Sequence, residues 1–297
     1  MFKSCVGGPE KRGRPPGPPP TVVRMTLLHD VAGDGPSAVV LLHSGVCDRR
    51  MWDGQFAHLA EAGHRVVRCD LRGFGESPVD APHHHGEDVL ALLDALGIER
   101  AAFVGSSFGG RVALDLAARH PGRVSALALL CAGMPGHEPS ADLRAWGGRE
   151  DALLESGDID GAVALNVDTW LGPEAGTETR ERVREMQRRA FDLQLAAPDA
   201  YFPDGPEADA AALARVDVPC LVVSGAHDVA DFRQIAVRLA GLLPRARHVE
   251  LDWAGHLPAL ERPAETAALL AAFLAAPAGT RPPYAREGIT APGVSGR

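Results

Sequence analysis

The sequence predicts an α/β protein: a mostly parallel sheet with helices on both faces and an all-helical block inserted between two strands. Two observations carry this expectation. Short, largely apolar runs at 38–42, 101–104, 124–130 and 218–223 are separated by helical patterns. Strands buried on both faces read as such runs, and strand–helix alternation implies parallel strands joined by crossovers. The alternation stops at residues 134–212, where helical signals recur without a strand pattern.

The chain has 297 residues, enough for one large domain with an insertion. Its net charge of -9 argues against a nucleic-acid partner. No apolar run reaches the roughly 20 residues of a membrane helix, so no membrane partner is expected. The five cysteines are odd in number and widely spaced. They read as buried or free thiols in a reducing compartment, which favours a cytoplasmic location. The basic N-terminus lacks the apolar stretch of a secretory signal. Residues 1–20 are expected to be a disordered leader, and residues 277–297 a disordered tail.

Taken in order, residues 22–31 read as one or two edge strands, and 38–42 as a buried strand. Asp48 suits a helix N-cap before Met51, Trp52, Phe56 and Leu59. A strand follows at 65–69, then a Gly-rich turn, a helix at 86–96 and the 101–105 strand. The next helix ends near Pro121-Gly122, before the 124–130 strand. This first core part, 21–133, gives way to a helical cap, 134–212, with helices at 151–156, 159–170 and 180–195. Val183, Met186 and Ala190 share one face of the last. The second core part, 213–276, has strands at 218–223 and 247–251 and helices near 235–243 and 265–275. Ligands of open α/β sheets bind beyond the carboxyl ends of the strands, where such an insertion forms a lid.

The turn after the 101–105 strand reads Gly105-Ser106-Ser107-Phe108-Gly109, a G-x-S-x-G pattern between strand and helix. A sharp turn of this kind exposes the central hydroxyl and points a helix N-terminus at developing negative charge. It needs small residues two positions to either side. Ser107 has Gly105 and Gly109; Ser106 would have Val104 and Phe108, so Ser107 is the candidate nucleophile.

A serine nucleophile needs a base, and the base an orienting acid. His256, in the loop after the last strand, is the candidate base. Asp228, after the penultimate strand, is the candidate acid; Asp231 is the alternative, and a helix-capping role suits it better. The position after the 124–130 strand carries Cys131 and no carboxylate. Oxyanion donors are the N–H groups of Phe108 and Gly45, with Ser44 as the alternative to Gly45. His83-His84-His85 reads as a solvated loop rather than a metal site, so no metal and no cofactor are expected. His227 is either a substrate contact or a plain loop residue. Trp170, His43 and Met134 are the substrate-contact candidates. Core packing explains Trp170 and Met134 equally well, along with Trp146, Met186, Phe191, Phe202 and Trp253.

Five motifs stand in order: His43-Ser44-Gly45, the D-x-R-G-x-G-x-S stretch at 70–77, the turn at 105–109, the Asp loop at 225–228, and G-H-x-P-x-L-E-x-P at 255–263. Together they resemble the α/β-hydrolase superfamily over residues 22–276. The likeness is nearest to esterases, enol-lactonases and meta-cleavage-product hydrolases. The resemblance implies an eight-stranded sheet with one antiparallel strand near its start, and a cap after the sixth strand. It also implies a cofactor-free serine hydrolase acting on a small-molecule ester, lactone or activated C–C bond. A non-hydrolytic lyase or cyclase on the same fold, or a receptor-like relative with an idle triad, stays open, as does a homodimer. Ser44 departs from the usual glycine of the loop. Asp70 and Arg72 are expected to tie loops together.

Overall fold

The computed structural model describes residues 27–198, 201 and 208–275. Its strands are β1 (His29–Ala32), β2 (Ala38–Leu42), β3 (Arg65–Cys69), β4 (Ala101–Ser106), β5 (Val124–Leu130), β6 (Cys220–Gly225) and β7 (Ala246–Leu251). They form one sheet in the order β1-β3-β2-β4-β5-β6-β7. β1 is antiparallel to β3, and every other pairing is parallel. The described residues thus hold seven strands where the resemblance implies eight. The first part of the expected edge segment, 22–26, lies outside them, as do the expected leader and tail and Phe202.

Helices in the core are α1 (Asp53–Glu61), α2 (His85–Ala95) and α3 (Phe108–Arg119). Between β5 and β6 lie α4 (Ala141–Glu155), α5 (Ile159–Trp170), α6 (Thr177–Ala196) and α7 (Ala210–Leu213), with no strand among the described residues. The chain continues with α8 (Ala230–Leu242), α9 (Pro258–Glu261) and α10 (Pro263–Ala275).

Every residue of β4 and of β6 is buried, which explains why their sequences run apolar without alternation. Successive side chains nevertheless go to opposite faces. Val40, Leu42, Phe103 and Val222 join the layer of α2, α3 and α8. Val39, Leu41, Val104 and Val223 join the other, with Trp52, Leu59, Leu270 and the apolar faces of α5 and α6.

The cap helices rest on loops at the carboxyl ends of the strands. From α6, Arg189 Nε donates to the Gly75 carbonyl at 3.0 Å and Gln194 Nε2 to that of Gly73 at 3.1 Å. Helix α4 starts at Ala141, well before the expected residue 151, because Ser140 caps it by accepting from the Leu143 N–H at 3.1 Å. Gly147 and Gly148 in its interior hide the apolar periodicity.

Asp231 does not cap its own helix. From the first turn of α8 its buried carboxylate accepts from Ser140 N (2.8 Å), Ser140 Oγ (2.6 Å) and His137 Nε2 (2.9 Å), fastening the start of the cap to the core. Burial pushes this carboxyl up, but the bonds from Ser140 and His137 outweigh it and hold it below its ordinary value. A depressed carboxylate stabilises the fold fully above its unfolded value of about 3.9, and that stability is lost as pH falls through the lower folded value. Asp231→Ala should therefore cost about 1–3 kcal/mol in urea unfolding at pH 7. The difference from wild type should shrink at the most acidic pH at which both still fold.

Candidate functional site

The turn at Ser107 is built by contact between backbones. Ser107 has φ 50 and ψ -111, in the left-handed half of the map where non-glycine residues are strained. A Cβ on Gly105 would lie 2.5 Å from the Gly109 carbonyl oxygen, and one on Gly109 would lie 2.2 Å from that of Leu42. Only hydrogen fits at either position. Ser107 N–H donates to the Leu130 carbonyl at 2.9 Å, and its own carbonyl accepts from Gly133 N–H at 2.9 Å. The turn is thus tied to the end of β5 on one side. On the other, Gly109 N–H donates to the His43 carbonyl at 3.0 Å, tying it to the loop after β2. Ser107 is half-buried at the carboxyl end of β4, between those two loops.

Asp228 and His256 meet. His256 Nδ1 lies 2.8 Å from Asp228 Oδ2 and 3.0 Å from Oδ1, with both side chains buried. A carboxylate only accepts, so Nδ1 carries a proton, and in the neutral ring Nε2 is the nitrogen with the free lone pair. Asp228 Oδ1 also accepts from Val229 N–H at 2.7 Å. Glu261, within the 255–263 motif, holds the histidine loop from both sides: its carboxylate accepts from Gly255 N–H (2.9 Å) and Leu257 N–H (3.1 Å). Burial pushes the Glu261 carboxyl up, against those backbone donors. Cys131 completes the surroundings. Its sulfur lies with one donor atom each of Asp228 and His256 inside 4.8 Å, the one such metal-capable group among the described residues. Burial and the Asp228 charge push this thiol far above its ordinary range. Cys47, Cys69 and Cys220 are also buried, unpaired thiols.

The loop after β2 separates the two oxyanion candidates. Ser44 N–H points to Met51 Sδ at 3.3 Å, whereas a Cβ on Gly45 would lie 3.5 Å from that of Phe108. Gly45 thus lies beside Phe108, while the Ser44 N–H is already engaged.

Both ring nitrogens of His43 are engaged by backbone groups. Nδ1 donates to the Ser44 carbonyl (2.8 Å) and Nε2 accepts from Leu71 N–H (2.9 Å), so both nitrogens shape the loop. Burial pushes the imidazole down, keeping it neutral, against the pull of Asp70. Met134 is buried in the apolar layer that contains Val112 and Ala132. Trp253, half-buried, lies under the Arg262 guanidinium at 4.8 Å. His85 is no solvated loop residue: it is buried edge-on against Phe108, centroids 5.0 Å apart. His227 is exposed. Asp70 and Arg72 tie loops, Asp70 accepting from Arg49 N and Glu76 N, and Arg72 pairing with Asp80 and Asp88. Trp170 does reach the site. Its carbonyl accepts from His256 N–H at 3.0 Å, and its ring lies 4.7 Å from the imidazole. Phe232 of α8, with ring centroids 4.3 Å apart, is a second neighbour of His256. Phe232 carries no motif, and its place one residue after Asp231 at the start of α8 is the only sequence signal for it.

A sequence model described as alpha/beta hydrolase fold matches residues 37–263. The chain is 30% identical over 258 residues to 2-hydroxymuconate semialdehyde hydrolase of Pseudomonas sp. (strain CF600), covering 84% of this chain and 90% of that protein. It is 30% identical over 271 residues to rhodomycin D methylesterase of Streptomyces sp. (strain C5), covering 78% and 89%. Among solved structures, the enol-lactonase from Burkholderia xenovorans LB400 superposes with a TM-score of 0.67 at 27% identity, covering 84% and 96%.

The turn geometry gives a direct expectation. Gly109→Ala would force a methyl into the Leu42 and His43 carbonyls. Overpacking of this kind typically costs about 1–3 kcal/mol, which urea unfolding of the purified variant should register.

Proposed function

The chain belongs to the α/β-hydrolase family and is an enzyme of it, and on that footing we propose a serine hydrolase of small-molecule esters, lactones or activated C–C bonds. The observation that carries the reading is the buried Asp228–His256 pair at 2.8 Å, at the same rim of the sheet as the strained turn of Ser107. His256 Nε2 takes the proton of Ser107 as the hydroxyl attacks a carbonyl, while Asp228 fixes the tautomer and stabilises the imidazolium. The oxyanion develops toward the N–H groups of Phe108 and Gly45, each worth on the order of 3 kcal/mol in the transition state. His256 returns the proton to the leaving group, and water activated by the same nitrogen releases the acyl group. The substrate classes follow the names of the methylesterase, enol-lactonase and semialdehyde hydrolase relatives.

A fluorophosphonate probe tests the nucleophile. Wild type should be labelled on Ser107, and Ser107→Ala should lose the label. The same substitution should lower kcat on p-nitrophenyl acetate by on the order of 10⁴–10⁶. Labelling that persists in the variant would discard the assignment.

A further inference from the structure

The imidazole of His256 has aromatic neighbours from two elements outside its own loop. Trp170, the last residue of α5, sets its ring at 4.7 Å and 43°. Phe232 of α8 approaches at 4.3 Å and 66°. The two meet each other edge-to-face at 5.6 Å. Trp170 is itself locked in place: Nε1–H donates to Asn166 Oδ1 at 2.9 Å, Asn166 Nδ2 donates to Glu150 Oε1 at 2.6 Å, and Trp146 packs edge-on against the indole at 4.9 Å. The Trp170 carbonyl also accepts the His256 backbone N–H. A cap helix thus holds both the backbone and the ring of the residue that must gain and lose a proton.

We infer that Trp170 and Phe232 form an aromatic clamp that positions His256, making the cap part of the general base. The inference rests on the hydrolase reading above. Both rings lie close to the imidazole, and close-packed side chains hold their neighbours in single rotamers. Asp228 fixes the in-plane direction of the ring; the clamp fixes its tilt. Trp170 therefore acts through His256, as a positioning residue.

The test compares Trp170→Leu, which keeps an apolar side chain and removes the aromatic face, with Trp170→Phe, which keeps a face and loses the indole N–H. With p-nitrophenyl acetate, Trp170→Leu should lower kcat about tenfold with KM within about twofold, and Trp170→Phe should recover most of the loss. In protein carrying ¹³C-histidine, the His256 ring signals should be displaced by ring currents in wild type and Trp170→Phe, and relax in Trp170→Leu. Phe232→Leu, at a half-buried position, should shift the same signals and keeps the test decisive if Trp170→Leu does not fold. Unchanged kcat and ring signals in the leucine variants, with Ser107 labelled, would overturn the clamp alone. A raised KM at unchanged kcat would overturn it too, making Trp170 a substrate wall. An unlabelled wild-type Ser107 would remove the hydrolase reading and, with it, the clamp's catalytic role.

Discussion

The site depends on how closely three backbones approach at the turn after β4. Glycines at 105 and 109 let the first turn of α3 lie against β4 and against the end of β2. That contact leaves Ser107 with a φ of 50, a conformation that an isolated chain would abandon. Hydrogen bonds to Leu130, His43 and Gly133 over-determine it. The strained residue stands where β4 ends and the first turn of α3 begins. Gly45 follows from the same contact, because the loop that carries it is anchored to Gly109 through the His43 carbonyl.

The rest of the rim is arranged in strand order. Ser107 follows β4, Cys131 follows β5, Asp228 follows β6 and His256 follows β7. Parallel strands deliver all four residues to one edge, although they are far apart in sequence. The cap leaves after β5 and returns before β6, so it is rooted within that row. Asp231 pins its start, and Trp170 touches His256. Cap and core are therefore coupled through buried polar bonds as well as apolar contact, and such bonds are costly to break where water cannot replace them.

Much of this was legible in the sequence because it is local. Apolar runs mark strands, and glycines two residues either side of Ser107 mark the turn. Asp228 and His256 each sit just past a strand end. What escaped depends on contacts between distant segments. Asp231 stands where a cap residue would, yet its partners are Ser140 and His137, which no local pattern connects to it. His43 has the composition of a ligand contact, but both of its nitrogens are taken by backbone groups, one of them at Leu71. Three histidines in a row read as solvated, whereas helix periodicity turns His85 inward onto Phe108. Of the aromatic residues in the cap, the one that meets His256 is set by where α5 ends, which sequence spacing alone does not fix.

The most direct measurement is intact-protein and peptide mass spectrometry of the enzyme quenched during turnover of p-nitrophenyl acetate. An acetyl group on Ser107, formed as fast as the first p-nitrophenolate is released, is the expected result. Turnover at full rate with Ser107 unmodified, or with the acetyl group on another residue, would contradict a nucleophile at the turn.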